Sequence, residues 1–140
     1  MKTILKNNEK YVLSFQIGEN LQEELVKFCA DEDIKSAFFV GLGGLQELEL
    51  SYYNLSEKRY EDINIKENLE IVSLTGNISK LNNDTIIHMH GVFSNSKANT
   101  IGGHVKKIVV SGTCEIFLTV FDACCRFFTA TSSSVSLACF

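Results

Sequence analysis

Only one stretch of this chain, residues 20–32, spaces its apolar side chains as a helix does; nearly everything else alternates. Leu21, Leu25, Phe28 and Cys29 share one helical face, and Glu24, Lys27 and Asp31 fall on the other. Asn20 stands where an N-cap belongs, with Glu23 three residues on as its capping-box partner. Residues 11–17, by contrast, put Tyr11, Leu13, Phe15 and Ile17 on a single strand face that Gly18 ends. A lone amphipathic helix among many strands has to bury its stripe on a sheet. The pattern therefore predicts an α+β domain: a mainly antiparallel β-sheet with one principal α-helix packed on it.

The remaining strands are expected at 34–40, around Leu48, Leu50 and Tyr52, and at 60–65, 69–78, 85–93 and 107–121. Two more are expected at 127–131 and 134–140. Gly41-Leu42-Gly43-Gly44 reads as a turn between the first two, and Asn82-Asn83-Asp84 as another. Residues 94–103 read as a polar loop ending in glycines, and Gly112 as a bulge or bend in the longest strand. No repeat, linker or composition break divides the 140 residues, so one domain over 1–140 is expected.

At 45% hydrophobic and 21% charged, the chain has the balance of a folded soluble domain. No apolar run approaches the roughly 18 residues of a membrane helix, and the first residues lack a secretory h-region. A cytoplasmic location is expected, with no membrane partner. Net charge is −4, from 13 Lys+Arg against 17 Asp+Glu, and two of those cations, Arg59 and Arg126, are arginine. Beyond Lys106-Lys107 there is no dense basic stretch, which disfavours DNA binding by the domain alone. The absence of proline excludes the Arg-Gly-Arg-Pro core of an AT-hook. Five cysteines (Cys29, Cys114, Cys124, Cys125, Cys139) with no C-x-x-C read as small buried hydrophobes rather than a disulfide framework. The adjacent Cys124-Cys125 pair also admits a soft-metal or redox reading.

All three histidines lie in one 17-residue window, an arrangement of about 4% chance frequency. His88 and His90 are two apart on an expected strand, so their side chains leave the same face. His104 follows Gly102-Gly103, a turn that would bring the backbone back toward that strand and support the site. Three converging neutral imidazoles suit zinc, or another divalent transition metal, with a position open for water or substrate. A surface pair with an unrelated third histidine, or a polar pocket that holds no metal, remain alternatives. Glu70 sits among Val72 and Leu74 on a strand face, a setting that can raise a carboxyl pKa, and is the candidate catalytic acid or base. Its alternative is an edge-strand glutamate facing water. Gly41-x-Gly43-Gly44 precedes a strand instead of a helix, so it is not a dinucleotide fingerprint.

Several of these stretches together resemble the plants and prokaryotes conserved (PPC) domain family in its single-domain prokaryotic form. They are Phe38-Phe39-Val40-Gly41-Leu42-Gly43-Gly44-Leu45, Leu50-Ser51-Tyr52-Tyr53, residues 69–78, His88-Met89-His90 and Gly102-Gly103-His104. With the N-terminal strand and helix, the match runs to about Phe121. The resemblance implies an antiparallel α+β fold, a homotrimer, and a metal site on His88, His90 and His104. It also implies a DNA-associated role, since the plant members carry AT-hooks beside the domain. The stretch 124–140 departs from the family pattern. Three functions follow: a trimeric metal protein acting on or sensing a small molecule, a DNA-binding or regulatory protein, or a protein–protein assembly module without catalysis.

Overall fold

The computed structural model describes residues 1–122. Cys124, Cys125, Cys139 and the strands expected at 127–131 and 134–140 lie outside the described residues. Seven strands and one helix follow in the order β1 (Lys2–Asn7), β2 (Lys10–Phe15), α1 (Leu21–Asp31), β3 (Ala37–Asn54), β4 (Arg59–Ile65), β5 (Leu69–Leu81), β6 (Asp84–Ser94) and β7 (Thr100–Val120). Every strand pairing is antiparallel, as the α+β expectation requires.

The sheet order is β1-β2-β7-β6-β5-β3-β4, with β7 also pairing β3. That extra pairing closes β3, β5, β6 and β7 into a ring, which shelters strand edges that an open sheet would leave bare. Two long strands make the closure. β3 pairs β5 through residues 37–45 and β7 from Ala37 to Ser51, and its second half, Leu48 to Asn54, also pairs β4. β7 pairs β6 through Thr100 to His104 and β2 through Cys114 to Thr119.

The helix forms as its spacing predicts. The Asn20 side chain accepts from the backbone N–H of Gln22 and Glu23, and Leu21, Leu25, Phe28 and Cys29 are its buried residues. They join one core with Leu13, Phe15, Phe39, Met89 and Phe93. Each large apolar side chain buried there contributes about 1.5–3 kcal/mol. Tyr11 closes the margin edge-on to Phe28 at 5.3 Å. Cys29 and Cys114 are free and buried, and burial pushes their thiols up to about 11 and about 12. Both are therefore inert packing residues, as the composition implied.

Two local expectations change, and one strand forms where none was expected. Gly41 to Gly44 make no turn: they run through the middle of β3. The register slips between Gly41 and Gly43 against β5, and between Gly43 and Leu45 against β7. Gly43 has φ +145°, and a Cβ there would lie 2.3 Å from the Thr113 carbonyl oxygen. The glycines thus permit a bulged strand crossing, a role a turn-rich sequence also suggests but does not distinguish. Gly102-Gly103 is likewise no turn. Both lie within β7, opposite Val92 and Gly91. The chain reverses upstream at residues 95–99, where Asn95 Oδ1 accepts from the N–H of Lys97 and Asn99 and Ala98 takes φ 59°. Last, β1 forms although no residue in it is buried. It has no core face, so its sequence carries no alternation to read.

The turn at Asn82-Asn83 forms as expected, with φ 49° and 75°, values that asparagine tolerates. Gly112 sits in a bulge of β7, between the residues that pair Gly43 and Leu45.

Candidate metal centre

β6 alternates cleanly. Met89 and Phe93 point into the core, at 1% and 0% exposure, so His88 and His90 must leave by the other face. His104 is placed by pairing: it stands directly opposite His90 in the β6–β7 ladder. Directly opposed residues of an antiparallel pair project to the same side, so the third imidazole joins the first two. A Cβ on Gly102 would lie 2.6 Å from the Gly91 carbonyl oxygen, so glycine there lets the two strands approach.

The three rings form a nearly equilateral triangle. Their centroids are 5.2 Å apart for His88 and His90, 5.1 Å for His88 and His104, and 5.3 Å for His90 and His104. One nitrogen from each lies within 4.8 Å of the others, and the Nε2 atoms of His88 and His90 are 3.2 Å apart. Two ligands at about 2.05 Å in a tetrahedral zinc site lie roughly 3.3 Å apart, so the pair already has the bite of such an ion. Burial holds the His88 and His104 pKa values below the ordinary imidazole range, and the neighbouring imidazoles add to the effect. Both therefore favour the neutral form that can coordinate.

The strand that carries His104 is braced from one side. Lys106 Nζ donates to Asp62 Oδ2 at 2.8 Å, and the buried Ser51 hydroxyl donates to Asp62 Oδ1 at 2.7 Å. Ser51 is the β3 residue paired with His104. Those two hydrogen bonds, the one from Lys106 foremost, keep the Asp62 carboxyl below its usual range. Asp62 thus links β3, β4 and β7 beside the histidines.

The histidines open onto a cavity of about 520 Å³. The β3–β4 hairpin, next to the His104 strand in the sheet, also lines it through Leu50, Tyr53, Tyr60 and Ile63. Tyr53 and Tyr60 are cross-strand partners and meet edge-to-face at 5.0 Å. Among the described residues, no Asp, Glu, Lys or Arg lines the cavity. The hairpin wall was not found by sequence reasoning. Its signal, two tyrosines symmetric about a short polar turn, becomes readable only once the hairpin register is known.

Gly102 and Gly103 line this cavity, but Glu70 does not. Glu70 is exposed and pairs Ser94 on β6, whereas Thr75, five residues further along β5, is the residue opposite His90. At about 3.3 Å per residue, that places the Glu70 backbone roughly 16 Å along the strand from Thr75.

The sheet face around the histidines continues into an apolar surface. Cross-strand rows run Phe38–Asn77–His88 and Val40–Thr75–His90, and Phe117 pairs Val40 from β7. Phe38, Val40 and Phe117 are 44–48% exposed and neighbour one another through the ladders, forming a contiguous apolar patch. The basic pair of the sequence is spent on acids: Lys106 on Asp62 and Glu49, Lys107 on Glu47. Among the described residues, no helix is long and apolar enough to cross a membrane.

The same fold is found in solved structures. A protein from Bacteroides thetaiotaomicron, whose description proposes DNA binding, is 29% identical with a TM-score of 0.83, over 86% of this chain and 84% of that one. A plant- and prokaryote-conserved protein from Pyrococcus horikoshii is 28% identical, with a TM-score of 0.78 over 89% and 87%. A protein from Archaeoglobus fulgidus described as metal-containing is 22% identical, with a TM-score of 0.74 over 86% and 85%, a likeness of fold. Among curated proteins, none matches the chain. Residues 3–122 match the family described as the Plants and Prokaryotes Conserved (PCC) domain, and the chain belongs to that family.

Proposed function

We propose that this chain is a homotrimeric metal-binding protein whose His88, His90 and His104 hold one divalent transition ion, zinc foremost. In the adjoining cavity it acts on or senses a small molecule. The observation that carries the reading is the convergence of three imidazole nitrogens within 4.8 Å of one another. The donor set fits: all-nitrogen, neutral ligands suit a borderline ion over hard Mg²⁺ or Ca²⁺. Three protein ligands also leave a position open, the arrangement of catalytic rather than structural zinc sites. When bound, such an ion supplies Lewis-acid polarisation of an oxygen-bearing ligand. The chain's own part is to hold the ion with three neutral rings, to brace the His104 strand through Asp62, and to wall the site with apolar surface.

The trimer is supported by the exposed Phe38, Val40 and Phe117 on the face that carries the histidines. A second copy covering them would remove an apolar patch from water. The cytoplasm suits the free, buried Cys29 and Cys114. A DNA-binding role draws support from the descriptions of similar structures, but Lys106 and Lys107 are engaged by carboxylates, and this reading ranks second.

The test is elemental analysis of protein purified without an affinity tag, before and after zinc exposure. One equivalent per chain in the wild type, lost in His104→Ala, is the expected result. A wild type that takes up no zinc, or a variant that keeps all of it, would leave the histidines as a polar pocket for an organic ligand.

A further inference from the structure

Resting on the three-histidine reading, we infer that the cavity takes a small carboxylate with an aromatic or branched apolar body, its anionic head at the histidine end and its body against Tyr53, Tyr60 and Ile63. The first argument is charge. Three neutral imidazoles bring no charge to offset a dication, and no acidic residue lines the cavity among the described residues. A site so composed favours an anionic oxygen donor from the ligand, because an uncompensated charge beside apolar walls is costly.

The second argument is the hairpin wall. It is apolar and aromatic, and it is unfinished: Ile63 is 54% exposed although it faces the cavity. A ligand body placed there would cover it. The volume of about 520 Å³ admits a ligand of some ten to fifteen heavy atoms, within the usual range for small-molecule sites. Tyr53 and Tyr60 are held edge-to-face across the hairpin, so their orientation is set before the ligand arrives.

The third argument excludes phosphate esters. Phosphate recognition calls for Arg or Lys, or for a helix N-terminus. No Arg or Lys lines the cavity among the described residues, and α1, the sole helix there, contributes no residue to it. Lys106, on the neighbouring strand position, is tied to Asp62 at 2.8 Å and Glu49 at 3.5 Å. A doubly charged head would find no cationic donor beyond the histidine site, only the neutral hydroxyls of the lining tyrosines.

The test loads the full chain with cobalt(II) and titrates it with phenylacetate, acetate and phenyl phosphate, following the visible cobalt bands. Phenylacetate should change the bands and bind about tenfold tighter than acetate, the gain expected from burying an aromatic body. Phenyl phosphate should bind no tighter than phenylacetate. In Tyr60→Ala, and in Ile63→Ser, whose exposed position leaves the core intact, the tenfold advantage should fall below about threefold while cobalt uptake is unchanged. Equal binding of acetate and phenylacetate, preference for phenyl phosphate, or an advantage that survives both substitutions would overturn the inference while leaving the metal site standing. Failure to take up cobalt at all would overturn both.

Discussion

The Nε2 atoms of His88 and His90 sit 3.2 Å apart, and His104 faces His90 directly across the β6–β7 ladder. Two ligands come from the period-2 geometry of one strand and the third from the register between two strands. That register is held by ladder hydrogen bonds, the Asn95 turn and the close approach at Gly102, none of which involves an imidazole.

It follows that the fold does not need the histidines. His104→Ala should lose most bound zinc, while its far-UV circular dichroism is unchanged and its metal-free melting temperature moves by only a few degrees. Zinc binding by the wild type should weaken on acidification, since protons compete for the same nitrogens. Burial lowers the pKa values of His88 and His104, so the loss should set in below the ordinary value of about 6.5 rather than at it. Calorimetric titrations between about pH 7.5 and 5 would check this; an affinity flat over that range would count against imidazole ligation.

The brace at Asp62 should appear in acid unfolding. The folded pKa lies below the unfolded value of about 3.9, because the hydrogen bonds from Lys106 and Ser51 favour the carboxylate. The unfolded chain then binds more protons, so the stabilisation is present above the unfolded value and is lost as pH falls through the folded one. Asp62→Asn should flatten the stability profile below about pH 4 and cost under about 1 kcal/mol at pH 7, since the pair is partly exposed. Urea melts of both proteins from pH 2.5 to 7 would show whether the acid limb changes.

Gly43 and Gly112 make a contrast within one bulge. Alanine at position 43 would put its Cβ 2.3 Å from the Thr113 carbonyl, at a backbone φ of +145°. Gly43→Ala should cost about 3 kcal/mol or more, or prevent folding. Nothing lies within 4 Å of a Cβ at Gly112, so Gly112→Ala should stay within about 1 kcal/mol. Similar denaturation midpoints for the two variants would refute the strand-crossing account.

Val40 and Phe117 are cross-strand partners on the exposed face. Glutamate at both would oppose like charges on the patch assigned to the trimer, yet disturb little inside the subunit. Sedimentation of the wild type at micromolar concentration should give three times the chain mass, and of Val40→Glu/Phe117→Glu a folded monomer. A wild-type monomer would end the trimer proposal.

With Lys106 and Lys107 paired to acids, duplex DNA should not bind below micromolar concentration at about 150 mM salt. Fluorescence anisotropy with a labelled duplex would test it; sub-micromolar affinity with a steep salt slope would favour the DNA-binding reading.

The helix, its Asn20 cap and most strands were legible in the sequence because their signals are local. A helical stripe at Leu21, Leu25 and Phe28 and an alternation through Met89 and Phe93 each follow from one element meeting one core. The shared face of His88 and His90 was legible for the same reason. What local pattern left open was pairing. Glycines serve turns and bulges alike, so residues 41–44 and 102–103 suggested reversals where the chain runs straight through two long strands. Glu70 reads as a candidate acid or base from its apolar strand neighbours Val72 and Leu74, but the β5–β6 register sets Ser94 opposite it and Thr75 opposite His90. Tyr53, Tyr60 and Asp62 acquire their places from the β3–β4 ladder, and Ser51 from its register with His104. The sequence by itself determined which side chains must be buried and which two histidines leave together, because those depend on the period of a single element. Only the tertiary structure decided what stands across from them, because strand register is a relation between segments distant in the chain.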